Sequence, residues 1–142
     1  MCLTKLSSAW NGWPLVIVVD ASAAVSALLN DGPAHRALAD EQLHVPHLID
    51  SEVANALRRG VASSLIEPGD AWIALDRWRR LGMSRYSVLH LLERVWELRE
   101  NPSAYGASCV ALAESLDCPL LSADVRLSQA PGLRCAVTVV PR

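Results

Sequence analysis

The sequence predicts an α/β domain with helices on both faces of a mostly parallel sheet. Two observations carry this. Short β-branched runs alternate with helical segments along the chain, and two of those runs end at an aspartate. Strands alternating with helices form parallel βαβ units, and covering both faces of their sheet gives a three-layer α/β/α domain. A chain of 142 residues, 51% of them apolar, suits one domain with one core.

Leu15–Val19 is a short buried strand by composition, followed directly by a helix over Ala21–Leu29. Asn30 to Pro33 form a breaker cluster, after which Ala34–Asp40 reads as a weak helix and Leu43–Val45 as a second strand. Asp50 and Ser51 are plausible caps of a helix reaching Arg59, with Gly60 closing it. Pro68 stands where a first helical turn begins, and Ala71–Leu81 is an Arg-rich amphipathic helix ended by Gly82. Ser84–Val88 reads as strand and Leu89–Leu98 as helix. Ser103 caps a helix over Ala104–Leu116. Pro119–Ser122 is a short apolar strand, Asp124–Gln129 a short helix, and Cys135–Val140 a last strand. Residues 1–14 read as an N-terminal extension, a candidate disordered arm, before a domain over residues 15–142.

Composition narrows the function. A net charge of −2 provides no global field for a polyanion, so a nucleic acid would need a local basic patch. Lys5 is the one lysine, and the other basic residues are arginines. Cys2, Cys109, Cys118 and Cys135 form no C-x-x-C pair, which argues against a zinc ribbon. They read as reduced thiols of a cytoplasmic protein. No stretch is long and apolar enough to span a bilayer, and the run Trp13–Val19 lacks the flanks of a signal peptide. The glycines are scattered rather than gathered into a phosphate loop, no G-x-S-x-G elbow exists, and His35, His44, His47 and His90 show no ligand pairing.

Three acids remain. Asp20 ends the first strand, Asp124 follows the strand Pro119–Ser122, and Glu52 opens a helix. In parallel α/β sheets, ligands collect at the carboxyl ends of the strands. Carboxylates converging there repel one another unless a cation intervenes, and hard oxygen ligands suit Mg²⁺ or Mn²⁺. Such ions orient and acidify a water and clamp a phosphate. Taken singly, Asp20 and Asp124 read first as helix caps and Glu52 as a first-turn acid favoured by the helix dipole.

Four stretches taken in order carry more. They are Val-Val-Asp-Ala-Ser at 18–22, the run from His47 to Arg59, the run from Leu98 to Glu114, and Pro-Leu-Leu-Ser-Ala-Asp-Val-Arg-Leu at 119–127. From about residue 15 onward the chain resembles the PIN-domain family, and within it the VapC toxins of bacterial toxin–antitoxin pairs. The resemblance implies an endoribonuclease that uses Mg²⁺ or Mn²⁺ to cleave structured RNA such as tRNA or rRNA. It also implies a VapB-type antitoxin partner and a homodimer. Asp20, Glu52 and Asp124 match family acids that serve catalysis and metal binding, and Ser22 and Ser122 match supporting hydroxyls. Where the family has Tyr-Asp-Ala, this chain reads Tyr105-Gly106-Ala107, so the third acid position is vacant. Glu114, two turns further along the same helix, is too distant to replace it.

Gly106 leaves three readings open: an inactivating change, a weakened enzyme using three acids, or a catalytically inactive scaffold that binds antitoxin, RNA or both. Among the arginines, Arg58 and Arg59 follow Glu52, while Arg77, Arg79 and Arg80 cluster with Trp72 and Trp78. That second cluster reads first as a solvated face with tryptophans packing inward; the other uses are contact with an RNA backbone or one wall of a groove for an antitoxin helix. Arg99, just before the Ser103 helix, is a candidate RNA phosphate contact.

Overall fold

The structure is a computed structural model that describes residues 14–101 and 103–142. Apart from Pro14, the expected extension over 1–14 lies outside the described residues, as does Cys2. The chain begins with β1 (Val16–Val19), α1 (Ala21–Leu29), α2 (Pro33–Asp40), β2 (Gln42–Pro46), α3 (Ile49–Ala62), α4 (Pro68–Arg80) and β3 (Met83–Tyr86). A 3₁₀ turn at Leu89–Leu91 leads into α5 (Leu92–Glu97), so the helix expected over 89–98 is split. Then follow α6 (Ala104–Ser115), β4 (Leu120–Ser122), α7 (Val125–Ser128) and β5 (Val137–Val139).

The sheet has five strands in the order β3-β2-β1-β4-β5. All neighbours run parallel, with Val18 opposite His44 on one side and Leu120 on the other. Alternation along β1 divides the core. Ile17 and Val19 pack under α1–α4 with Leu121 and Trp78, whereas Val18 and Leu120 pack under α6 with Val110 and Leu112. Two apolar layers on opposite faces of one sheet make the three-layer α/β/α domain the sequence predicts.

Several local expectations are corrected. The N-cap of α3 is Leu48, without a side-chain cap, so Asp50 and Ser51 lie inside its first turn. Asp50 is used elsewhere, accepting hydrogen bonds from Trp78 Nε1 at 2.8 Å and Arg85 Nε at 2.7 Å. α3 does not close at Gly60 but runs on to Ala62, and the left-handed turn behind it falls at Ser64, with φ 59°. α4 ends at Arg80 and Leu81 behind it is already extended, so Gly82 contributes no left-handed cap. Trp78 is buried as expected, but Trp72 is 58% exposed. No helix among the described residues is long and apolar enough to cross a membrane.

Candidate active site

The sheet order reverses between β1 and β4, since the chain goes from β1 to β2 on one side and later returns to β4 on the other. Side chains at the carboxyl ends of that pair therefore face a crevice. Asp20 leaves β1 there and Asp124 follows β4. The first turn of α3 adds Glu52 and the first turn of α6 adds Gly106. All four line one cleft of about 500 Å³, together with Ser22, Asn55, Arg59, Tyr105 and Arg142.

Asp20 is 8% exposed and tightly held. Its Oδ1 accepts from Ser22 Oγ at 2.6 Å and Ala23 N at 2.9 Å, and its Oδ2 accepts from Ser122 Oγ. Capping α1 and facing the crevice are therefore one placement, not alternatives. The two serines also brace the opposite wall. Ser22 Oγ accepts from Ala123 N at 2.9 Å, and Ser122 Oγ accepts from Asp124 N at 3.0 Å. Burial pushes the Asp20 pKa up, these hydrogen bonds pull against it, and the charge of Asp124 adds to the rise.

Glu52 is half-buried, and no described residue donates a hydrogen bond to its carboxylate. Burial, with the charge of Asp20 behind it, pushes its pKa up to about 7. Asp124 is in the opposite state. Its Oδ1 accepts from Arg126 N and Nε, each at 3.0 Å, and its Oδ2 from Arg126 Nη2 at 2.9 Å. The Arg126 hydrogen bonds hold its pKa below the usual carboxylate range, with further help from Arg142.

Ser103 caps α6 as expected, its Oγ accepting from Gly106 N at 3.0 Å. A Cβ added at Gly106 would stand 3.3 Å from Leu127 Cδ1, the movable end of a side chain, and 3.5 Å from Ser103 Oγ. Glu114 does not reach the crevice, because its carboxylate is taken by Arg94 Nε at 2.7 Å and Arg134 N at 2.8 Å. Arg99 lies outside the acidic cleft. It lines an adjoining apolar cleft beside Leu92 and Val95, with its guanidinium 5.3 Å from the Trp96 ring.

Neither Arg126 nor Arg142 stands out in the sequence as a site residue. Nothing in linear order signals that Arg126 turns back onto Asp124, or that Arg142 reaches Ala123 O at the crevice. Arg59 was legible in principle, since it stands seven residues after Glu52 and so on the same face of α3.

Among the described residues, no three His, Cys, Asp or Glu side chains converge closely enough to form a ready-made cation cage. The donor chemistry nevertheless fits a hard divalent ion. Three carboxylates face one crevice, and two of them have pKa values raised by burial and mutual repulsion, a strain that a cation relieves. Asp20, Glu52 and Asp124 are the residues that could hold it, with water completing the shell and Arg126 withdrawn from Asp124.

The fold and this crevice define an α/β protein with an acidic site at a switch point. Residues 17–133 match the model of the PIN domain, and the chain belongs to that family. It is 56% identical over 127 residues to Ribonuclease VapC9 of Mycobacterium tuberculosis, a match covering 89% of this chain and all of that protein. Two solved structures share the fold. One is Mycobacterium tuberculosis VapC20, a sarcin-ricin loop cleaving toxin, with TM-score 0.61, 21% identity, and coverage of 82% of this chain and 95% of that one. The other is VapBC2 of Rickettsia felis bound to a DNA fragment from its promoter, with TM-score 0.61, 11% identity, and coverage of 87% and 97%.

Proposed function

We propose that this chain is a Mg²⁺- or Mn²⁺-dependent endoribonuclease toxin of the VapC kind, held below full activity by Gly106. One observation carries the reading. Asp20, fixed by two serine hydroxyls and an amide, faces Glu52 and Asp124 across a single crevice. The identity to VapC9 supports the same activity class.

A bound divalent ion would supply an oriented, acidified water and charge neutralisation at the RNA phosphate. The protein's own residues do the rest. Ser22, Ser122 and Ala23 N fix the Asp20 carboxylate, so it need not reorganise when a cation arrives. Glu52, with a pKa near 7 in the free crevice, can position a water and hold its proton on a carboxyl oxygen. Arg59 and Arg142 bring positive charge to the crevice, where the RNA backbone would pass. Structured RNA such as tRNA or rRNA is the substrate class.

A VapB-type antitoxin is the expected partner, and the VapBC2 complex is the analogue for it. Exposed Trp72, Ile73 and Leu65, on α4 and the turn before it, offer apolar contacts for a partner helix. The active unit is read as a homodimer acting in the cytoplasm.

A second reading, a catalytically inactive scaffold that binds antitoxin or RNA, is favoured by two observations: Gly106 contributes no carboxylate, and Arg126 already neutralises Asp124. The test is RNA cleavage in Mn²⁺, comparing the chain with Gly106→Asp. The aspartate variant should cut faster by about tenfold or more, and EDTA should stop it. Equal rates would make Gly106 a tolerated variation. No cleavage by either protein would move the binding scaffold ahead.

A further inference from the structure

Arg126 holds the Asp124 carboxylate through three hydrogen bonds, two from its guanidinium and one from its backbone. Asp124 is one of the crevice acids a cation would need. Meanwhile the Arg126 side chain is 72% exposed and stands on α7, four residues long, so no packing fixes it in place. The other crevice acids are differently placed: Asp20 is saturated by neutral donors, and Glu52 has no described donor. The crevice thus holds one carboxylate whose counter-charge is an arginine free to leave.

On the reading of the crevice as a metal centre, on which this inference rests, we propose that Arg126 is a positioning residue that serves two anions in turn. Without a cation it pairs with Asp124. When a cation takes Asp124, the guanidinium turns outward from the crevice mouth and binds a phosphate of the RNA backbone. A planar fork that fits a carboxylate bidentately fits a phosphate equally well. The exchange has a thermodynamic consequence. The cation must displace Arg126, which weakens cation binding alone. RNA captures the displaced arginine, which repays that loss, so cation and RNA strengthen each other's binding by the same factor.

The test uses the full chain, with Mn²⁺ alone and a labelled single-stranded RNA oligonucleotide kept intact as checked on a gel. Arg126→Gln should bind Mn²⁺ about two- to fivefold more tightly without RNA, the scale of an exposed ion pair. The same variant should bind RNA more weakly in Mn²⁺, with a salt slope reduced by about one. It should also lose about a two- to fivefold share of the factor by which Mn²⁺ tightens RNA binding, the share that passes through the arginine. Arg79→Gln, an exposed arginine paired with Asp76 on α4, controls for removing one positive charge. Unchanged or weaker Mn²⁺ binding in Arg126→Gln overturns the exchange, and RNA binding equal to that of Arg79→Gln overturns the phosphate role. Failure of the metal-centre reading itself looks different: Asp20→Asn would then bind Mn²⁺ as the unaltered chain does, and the inference would fall with it.

Discussion

Ser122 is completely buried, yet its hydroxyl serves both sides of the crevice. It donates to Asp20 and accepts from Asp124 N. Removing it strands a charged acceptor and a backbone donor together, which is worse than losing one exposed hydrogen bond. Ser122→Ala should therefore cost about 1–3 kcal/mol in chemical denaturation and weaken Mn²⁺ binding as well. An unchanged denaturation midpoint would mean that water replaces the hydroxyl without loss. At this scale the sequence reveals much of the site. Asp20 and Asp124 could be picked out because each follows an apolar strand. What stayed hidden was pairing. The pairing of Asp124 with Arg126 depends on a side chain two residues away, and linear order does not record it.

Gly60 illustrates the scale of whole elements. Glycine in a helix interior normally costs up to about 1 kcal/mol against alanine, so Gly60 reads as the end of α3. The helix passes through it because the following turn folds back: Gly60 O accepts from Leu65 N at 2.9 Å and Ile66 N at 3.2 Å. A Cβ at Gly60 would fall 2.4 Å from Ile66 Cδ1, so the position is small because Ile66 occupies the space. Gly60→Ala should accordingly lower stability by about 1 kcal/mol or more, against the helix-propensity trend. Adding Ile66→Ala should cost less in that background than alone, a coupling that a double-mutant cycle in urea would measure. Additive effects would mean the contact carries no strain. Element order and type were legible because β-branched runs alternate with helical segments, and because Asp20 and Ser103 cap α1 and α6. Several boundaries were not, since Ser64 and Asp117 take the left-handed turns behind α3 and α6 where glycine is the expected signal.

Across the molecule, Arg94 ties distant segments together. Its guanidinium reaches Glu97 on α5, Glu114 on α6 and Gly132 O in the loop before β5. Burial raises the Glu114 pKa, but the hydrogen bonds from Arg94 and Arg134 N outweigh it, and the net shift is downward. A lowered folded pKa means the stability is fully present above the ordinary glutamate value and is lost as pH falls through the folded one. Glu114→Gln should thus be less stable than the unaltered chain by about 1–2 kcal/mol at pH 7. The gap should narrow once pH drops below about 4.3. A gap independent of pH would assign the loss to packing rather than charge. The same network removes Glu114 from any part in the crevice, in keeping with its distance along α6.

The central place of β1 has a consequence in time. Val18 pairs with Leu120, and Asp20 takes its hydrogen bond from Ser122, a partner 102 positions later. A ribosome releases Asp20 and Glu52 long before β4 has been made. A pairing of such long sequence separation forms late, because the intervening loop must be closed first. The unfinished polypeptide therefore carries Asp20 and Glu52 but has no crevice, and the site comes into being only after β4 and Asp124 have been made.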